Sequence, residues 1–94
     1  MARDLVFVFC YDIADNRVRA RVAKMLEQHG TRVQESVFEV HAGPAAAQAL
    51  MARLERLRMP GDSLRMYCLT PDGRARSRVA GGAPLPEATE FWLL

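Results

Sequence analysis

Asp12 is the first side chain in this sequence placed to do chemistry. It follows the apolar run LVFVFCY at 5–11, and the C-terminal ends of strands are where sheet proteins present reactive groups. Magnesium takes oxygen ligands octahedrally, keeps several waters, and draws only one or two carboxylates from a protein. A single Asp12 is a thin site for it. Two copies facing each other across a two-fold axis could hold one ion, polarise a phosphate and activate a water. The plainer alternative is a strand-end aspartate that accepts backbone hydrogen bonds or caps the next turn. Tyr11 stands beside it, able to stack or hydrogen-bond at such a site or to serve the core.

The remaining chemistry is cationic. All but Lys24 of the 13 basic residues are arginine, whose planar fork suits bidentate phosphate contacts. On a helix opened by Asp15 as N-cap, Arg17, Arg21 and Lys24 run along one flank of the apolar stripe and Arg19 lies on the other. Arg74, Arg76 and Arg78 alternate, so an extended segment would carry them on one side as a track for a duplex. No base-reading motif accompanies them, which points to backbone recognition with little sequence preference. A merely solvated helix face is the alternative. His29 and His41 read as structural or surface residues, and no general base can be assigned. Cys10 and Cys68 sit in apolar strand-like runs without a CxxC or Cys/His cluster, and are expected as buried, reduced thiols.

The elements that must hold these residues follow from periodicity. Residues 5–11 form a strand apolar on both faces, with Leu5, Phe7, Phe9 and Tyr11 on one and Val6, Val8 and Cys10 on the other. The first helix buries Val18, Val22, Met25, Leu26 and His29 and is stopped by Gly30. Residues 31–41 are strand-like but change parity, Val33 and Val37 against Phe38 and Val40, which predicts a bulge or tight hairpin at 34–36. Gly43-Pro44 starts a second helix with Ala47, Leu50, Met51, Leu54 and Leu57 inward, ended by Pro60-Gly61. Another strand follows at 63–69, with Leu64, Met66 and Cys68 inward. A turn-rich basic stretch and a short hydrophobic strand at 90–94 close the chain.

This order gives an α+β fold, a ferredoxin-like βαββαβ sandwich over residues 1–80. Residues 81–94 then form a Gly/Pro linker and an extra C-terminal strand. One sheet face lacks helices, and the terminal strand would be a sticky edge if left free. A homodimer that exchanges this strand answers both needs.

The segments FCYDIADNRVRARVAKML, GTRVQESVFEV and DSLRMYCL together resemble the CRISPR-associated protein 2 family, strongly over residues 5–70 and loosely beyond. The resemblance implies a symmetric dimer whose terminal strand joins the partner's sheet. It implies a magnesium-dependent endonuclease acting on RNA or DNA, with the metal-site carboxylate at Asp12. It also implies partnership with the CRISPR-associated integrase in spacer acquisition, holding duplex DNA. Arg32 and Phe38 fall at positions that the family uses near its active face; Arg32 would bind phosphate, and Phe38 could equally be core. A non-catalytic scaffold of the integrase complex and a toxin-type ribonuclease related to virulence-associated protein D are the alternatives.

The bulk properties agree with one small domain. At 94 residues and 50% hydrophobic, a chain that hides only ~60–65% of its surface has apolar area to spare for a partner. The net charge of +2 says less than the clustering of arginine. No apolar stretch reaches the ~20 residues that span a bilayer, and Arg3-Asp4 lead straight into the first strand without a signal segment. A cytoplasmic protein with no membrane partner is the expectation.

Overall fold

In the computed structural model, which describes residues 5–84, the elements run β1 (Leu5–Asp12), α1 (Asn16–Glu27), β2 (Thr31–Gln34), β3 (Val37–Ala42), α2 (Pro44–Glu55), β4 (Ser63–Leu69) and α3 (Pro71–Ala75). The strands form one four-stranded sheet in the order β2-β3-β1-β4, and every pairing is antiparallel. With α1 and α2 as crossovers, this is the ferredoxin-like α+β arrangement expected from the sequence. The continuous apolar run makes β1 a central strand, flanked by β3 and β4.

Register decides which side chains share a face. Phe7 lies opposite Val40, Phe9 opposite Phe38 and Met66, and Tyr11 opposite Leu64. This face packs on Val22, Ala23 and Leu26 of α1 and on Ala47, Leu50 and Leu54 of α2. Phe9, Phe38, Leu26 and Leu54 are fully buried, each worth ~1.5–3 kcal/mol relative to exposure. The other face carries Val8, Cys10, Val37, Glu39, Arg65 and Tyr67. Neither long helix lies over it, and Tyr67 is 51% exposed there. Residues 78–83 pass along its β2–β3 side, beside Val37 and Glu39. Burial pushes the Glu39 carboxyl above the usual carboxylate range, an effect opposed by the charge of His41.

The helix starts are as the residues dictate. The Asp15 carboxylate accepts from the amides of Arg17 and Val18 at 2.8 and 2.9 Å, a cap worth ~1 kcal/mol. Pro44 opens α2, where its missing N–H costs nothing.

Gly30 acts otherwise than as the expected helix stop. The helix ends at Glu27 with Gln28 as its right-handed cap. At Gly30 a Cβ would stand 2.3 Å from the Glu39 carbonyl oxygen and 2.7 Å from Val40 Cγ2, so glycine is required for the chain to pass close to β3. Gly30→Ala is expected to destabilise the domain by ~1–3 kcal/mol, as overpacking does, measured as a lower urea midpoint at unchanged slope.

Several expectations need correction. Residues 74–78 are not an extended arm, because Thr70 caps the short helix α3. Side chains two apart on a helix point to nearly opposite sides, so Arg74 and the cap residue Arg76 do not share a row, and Arg78 lies beyond the helix. Cys68 is exposed and Cys10 only half-buried, both as free thiols. Cys68 does share the core face through its pairing with Phe7, but the core cluster stops at Met66. His29 is exposed rather than part of the α1 stripe, and α2 stops at Glu55, ahead of Pro60-Gly61. The parity change at 31–41 resolves as both a turn at 35–36 and a register shift between Arg32 and Gln34. The strand expected at 90–94 lies outside the described residues. Among the described residues no helix is long and apolar enough to cross a membrane.

Candidate nucleic-acid and metal site

Strand alternation separates Tyr11 from Asp12. Tyr11 points into the helix-covered core, where it is buried and stacks against Phe38 with ring centroids 6.3 Å apart. Its hydroxyl donates to the Glu35 carbonyl in the β2–β3 turn at 3.5 Å. Asp12 is exposed and pairs in register with Ser63, so it shares the open sheet face with Cys10 and Arg65.

Beyond Asp12 the backbone turns sharply into α1, and that turn is tightly held. Ile13 is buried. Arg19, reaching back from α1, donates from Nη1 to the carbonyls of Ile13 at 2.7 Å and Ala14 at 3.3 Å, and from Nη2 to Asn16 Oδ1. From the other side, the Asp62 carboxylate accepts the Ala14 amide at 3.3 Å. Asp62 was not singled out in the sequence. Its signal lies in Met59-Pro60-Gly61-Asp62, where Pro followed by Gly marks a type II turn that fixes the direction of the next residue.

The basic residues expected at the site fall into three groups. Arg17, Arg21 and Lys24 are all exposed on one side of α1 and span about 10 Å along its axis at 1.5 Å per residue. Arg21 and Lys24 also edge a shallow groove of ≈ 200 Å³ with Met25, Gln28 and Leu57. A second group comprises Arg19 and Arg32, which line a cleft of ≈ 280 Å³ together with Tyr11 and Glu35. Arg32 lies 5.1 Å over the centre of the Phe38 ring and 3.8 Å from the Glu27 carboxylate, an arrangement that directs its guanidinium while leaving it accessible. The third group is dispersed: Arg74 and Arg76 belong to α3 and its cap, Arg76 pairs with Asp72 at 3.2 Å, and Arg78 is exposed beside the open face. The structure thus brings Tyr11, Arg19 and Arg32 together and leaves Asp12 on the opposite side of its strand.

Among the described residues no three His, Cys, Asp or Glu side chains gather as a metal cluster. The exposed Asp12 carboxylate nevertheless fits an ion of magnesium's habit, which completes its sphere with water and phosphate oxygens. Asp62 is less suited, since both of its oxygens already accept backbone amides.

Fold and site together define a small α+β domain of the ferredoxin-like type with an exposed strand-end carboxylate and an arginine-rich first helix. The chain belongs to the CRISPR associated protein Cas2 family, whose model matches residues 5–76. It is 37% identical over 90 residues to a protein of Synechocystis named CRISPR-associated endoribonuclease Cas2 2, covering 94% of this chain and 97% of that one. Among solved structures, Streptococcus pyogenes Cas2 superposes with a TM-score of 0.69 at 29% identity, covering 81% of this chain and 99% of the other. A chain from a partial Cas6-RT-Cas1–Cas2 complex superposes with a TM-score of 0.70 at 27% identity, covering 88% and 98%.

Proposed function

We propose that this chain is a magnesium-dependent endonuclease acting on RNA or DNA phosphodiesters, and that it serves CRISPR spacer acquisition as a homodimer beside the integrase Cas1. The observation that carries the reading is Asp12: an exposed carboxylate at the end of the central strand, on the sheet face that neither long helix covers. A second copy laid on that face buries Tyr67 and Val8 and brings a second Asp12 toward the first, so that one ion is shared. Magnesium bound there supplies polarisation of a phosphate and a water of lowered pKa. Arg17, Arg21 and Lys24 hold the nucleic-acid backbone, and Arg32 is a further phosphate contact. Residues 81–94 serve as the link and the strand that pairs with the partner. Gly81 and Gly82, both at left-handed φ of 77° and 75°, suit a change of chain direction at its start. A cytoplasmic setting goes with this reading. Support comes from the family, from a relative named as an endoribonuclease, and from the neighbour in a complex that contains Cas1.

A second reading has its own observation. One chain offers a single carboxylate and no assigned general base, whereas the exposed cations of α1 need no catalysis to bind a duplex. In that case the protein is a DNA-holding scaffold for the integrase.

Metal removal separates the two. Labelled RNA and DNA are expected to be cut in magnesium, spared in EDTA, and cut again when magnesium is restored. Cleavage that persists in EDTA would overturn the metal reading. Duplex binding without any cleavage, at concentrations where sedimentation shows the dimer, would establish the scaffold.

A further inference from the structure

We propose that Asp62 is a positioning residue for Asp12, fixing the backbone that carries the site carboxylate without touching substrate or metal; this rests on Asp12 being the functional carboxylate. The β1–β4 ladder ends at the pair Asp12–Ser63. Past that rung no backbone–backbone bond joins the exit from β1 to the β4 side among the described residues. Asp62, immediately before Ser63, supplies the missing rung with a side chain: its Oδ1 accepts the Ala14 amide at 3.3 Å, across 48 residues of sequence.

The perch that makes this contact is itself rigid. Asp62 Oδ2 accepts the Met59 amide at 3.0 Å, and the Asp62 amide donates back to the Met59 carbonyl at 3.0 Å. Gly61 takes a φ of +90°, as a type II turn demands of its third residue. Arg58 Nη1 donates to the Asp62 carbonyl at 3.1 Å. One carboxylate oxygen thus locks the turn and the other reaches across to the Asp12 loop.

Ala14 is held from both sides by opposite charges. Its N–H goes to the Asp62 carboxylate and its C=O receives the Arg19 guanidinium at 3.3 Å. A reacting group needs this kind of support, because misplacement by about 1 Å can cost on the order of 100-fold in rate. Arg19, expected from sequence to bind phosphate, directs both terminal nitrogens to the same loop.

The test compares the full-length protein with Asp62→Ala, Asp62→Asn and Asp12→Ala, using amide hydrogen exchange without metal and cleavage kinetics in magnesium. Asp62→Ala is expected to speed Ala14 exchange by about 10-fold or more while Phe7 and Phe9 keep their protection. The same variant should lower kcat about 10-fold with KM within about twofold, and Asp62→Asn, which keeps an acceptor oxygen, should recover most of the loss. Unchanged Ala14 exchange, or faster exchange with unchanged kcat, overturns the proposal. So does a rise in KM alone, which marks substrate contact, or an Asn variant as impaired as Ala, which marks a charge or ligand role. If Asp62→Ala does not fold, the Asn variant carries the comparison, expected between wild type and Asp12→Ala in rate; an Asn variant equal to Asp12→Ala overturns the proposal. Wild-type cleavage by Asp12→Ala would instead refute the reading of Asp12, and the exchange result would still decide whether Asp62 holds the loop.

Discussion

Asp12→Ala is expected to remove magnesium-dependent cleavage while the protein stays folded, dimeric and able to support spacer acquisition. The carboxylate is exposed and has no hydrogen bond or ion pair among the described residues, so its loss should change stability by less than ~0.5 kcal/mol. On the proposed reading its loss also removes a metal ligand, which is another matter. Partners outside the ligand shell are commonly worth roughly 10–100-fold, and a ligand itself should exceed that. The measurement is a matched cleavage assay of wild type and variant at fixed magnesium and pH, with thermal unfolding as the control for fold. Full activity in the variant would remove Asp12 from the chemistry. A collapse of spacer acquisition in a folded variant would show that the carboxylate does more than cut.

Reversing the charge of Arg17, Arg21 and Lys24 to Glu should have the second large effect. All three are exposed on one side of α1, where each neutralised phosphate releases condensed counterions. If the three contact a duplex, log K against log salt should flatten by about 2–3, and affinity at low salt should fall by roughly 100-fold or more. Backbone contacts carry no sequence information, so two unrelated duplexes should lose affinity alike. Binding titrations across a salt series read both quantities. An unchanged slope would mean that these side chains are only solvated.

The fold was legible because its strongest signals are local and mutually consistent. LVFVFCY marks the central strand β1, whose helix-facing side is buried while Val8 and Cys10 on the other face are half-buried, and Asp15 stands where a cap must. The parity change between Val33 and Phe38 announced the irregular hairpin that the register shift confirms. The failures have equally physical causes. The alternation of Arg74, Arg76 and Arg78 suggests an extended track, yet Thr70 at N-cap followed by Pro71 at the first helical position opens a helix there, and Asp72 pairs with Arg76 one turn on. Cys68 obeys strand alternation but lies beyond the buried core, which no period of two can reveal. At the site, Asp12 and the α1 cations were visible as residue types in suggestive places. That Arg19 turns back onto its own loop is a local choice of side-chain direction, made over five or six residues, and that Asp62 meets Ala14 is a long-range fact of tertiary packing. The Pro60-Gly61 turn marks Asp62 as held in one direction, but sequence spacing does not say which group either side chain meets.

The position of β1 at the centre of the sheet has a consequence for how the molecule is made. Its two neighbours come from the third and fourth strands, so neither edge of β1 can be satisfied by anything adjacent in sequence. Closing such distant pairings is the slow part of folding for small domains. During synthesis, the seat of Asp12 stays unfinished until residues 59–69 have left the ribosome. Nascent chains lacking them would display the carboxylate on a loop without its Asp62 tether, which delays completion of the proposed site until the domain has closed around it.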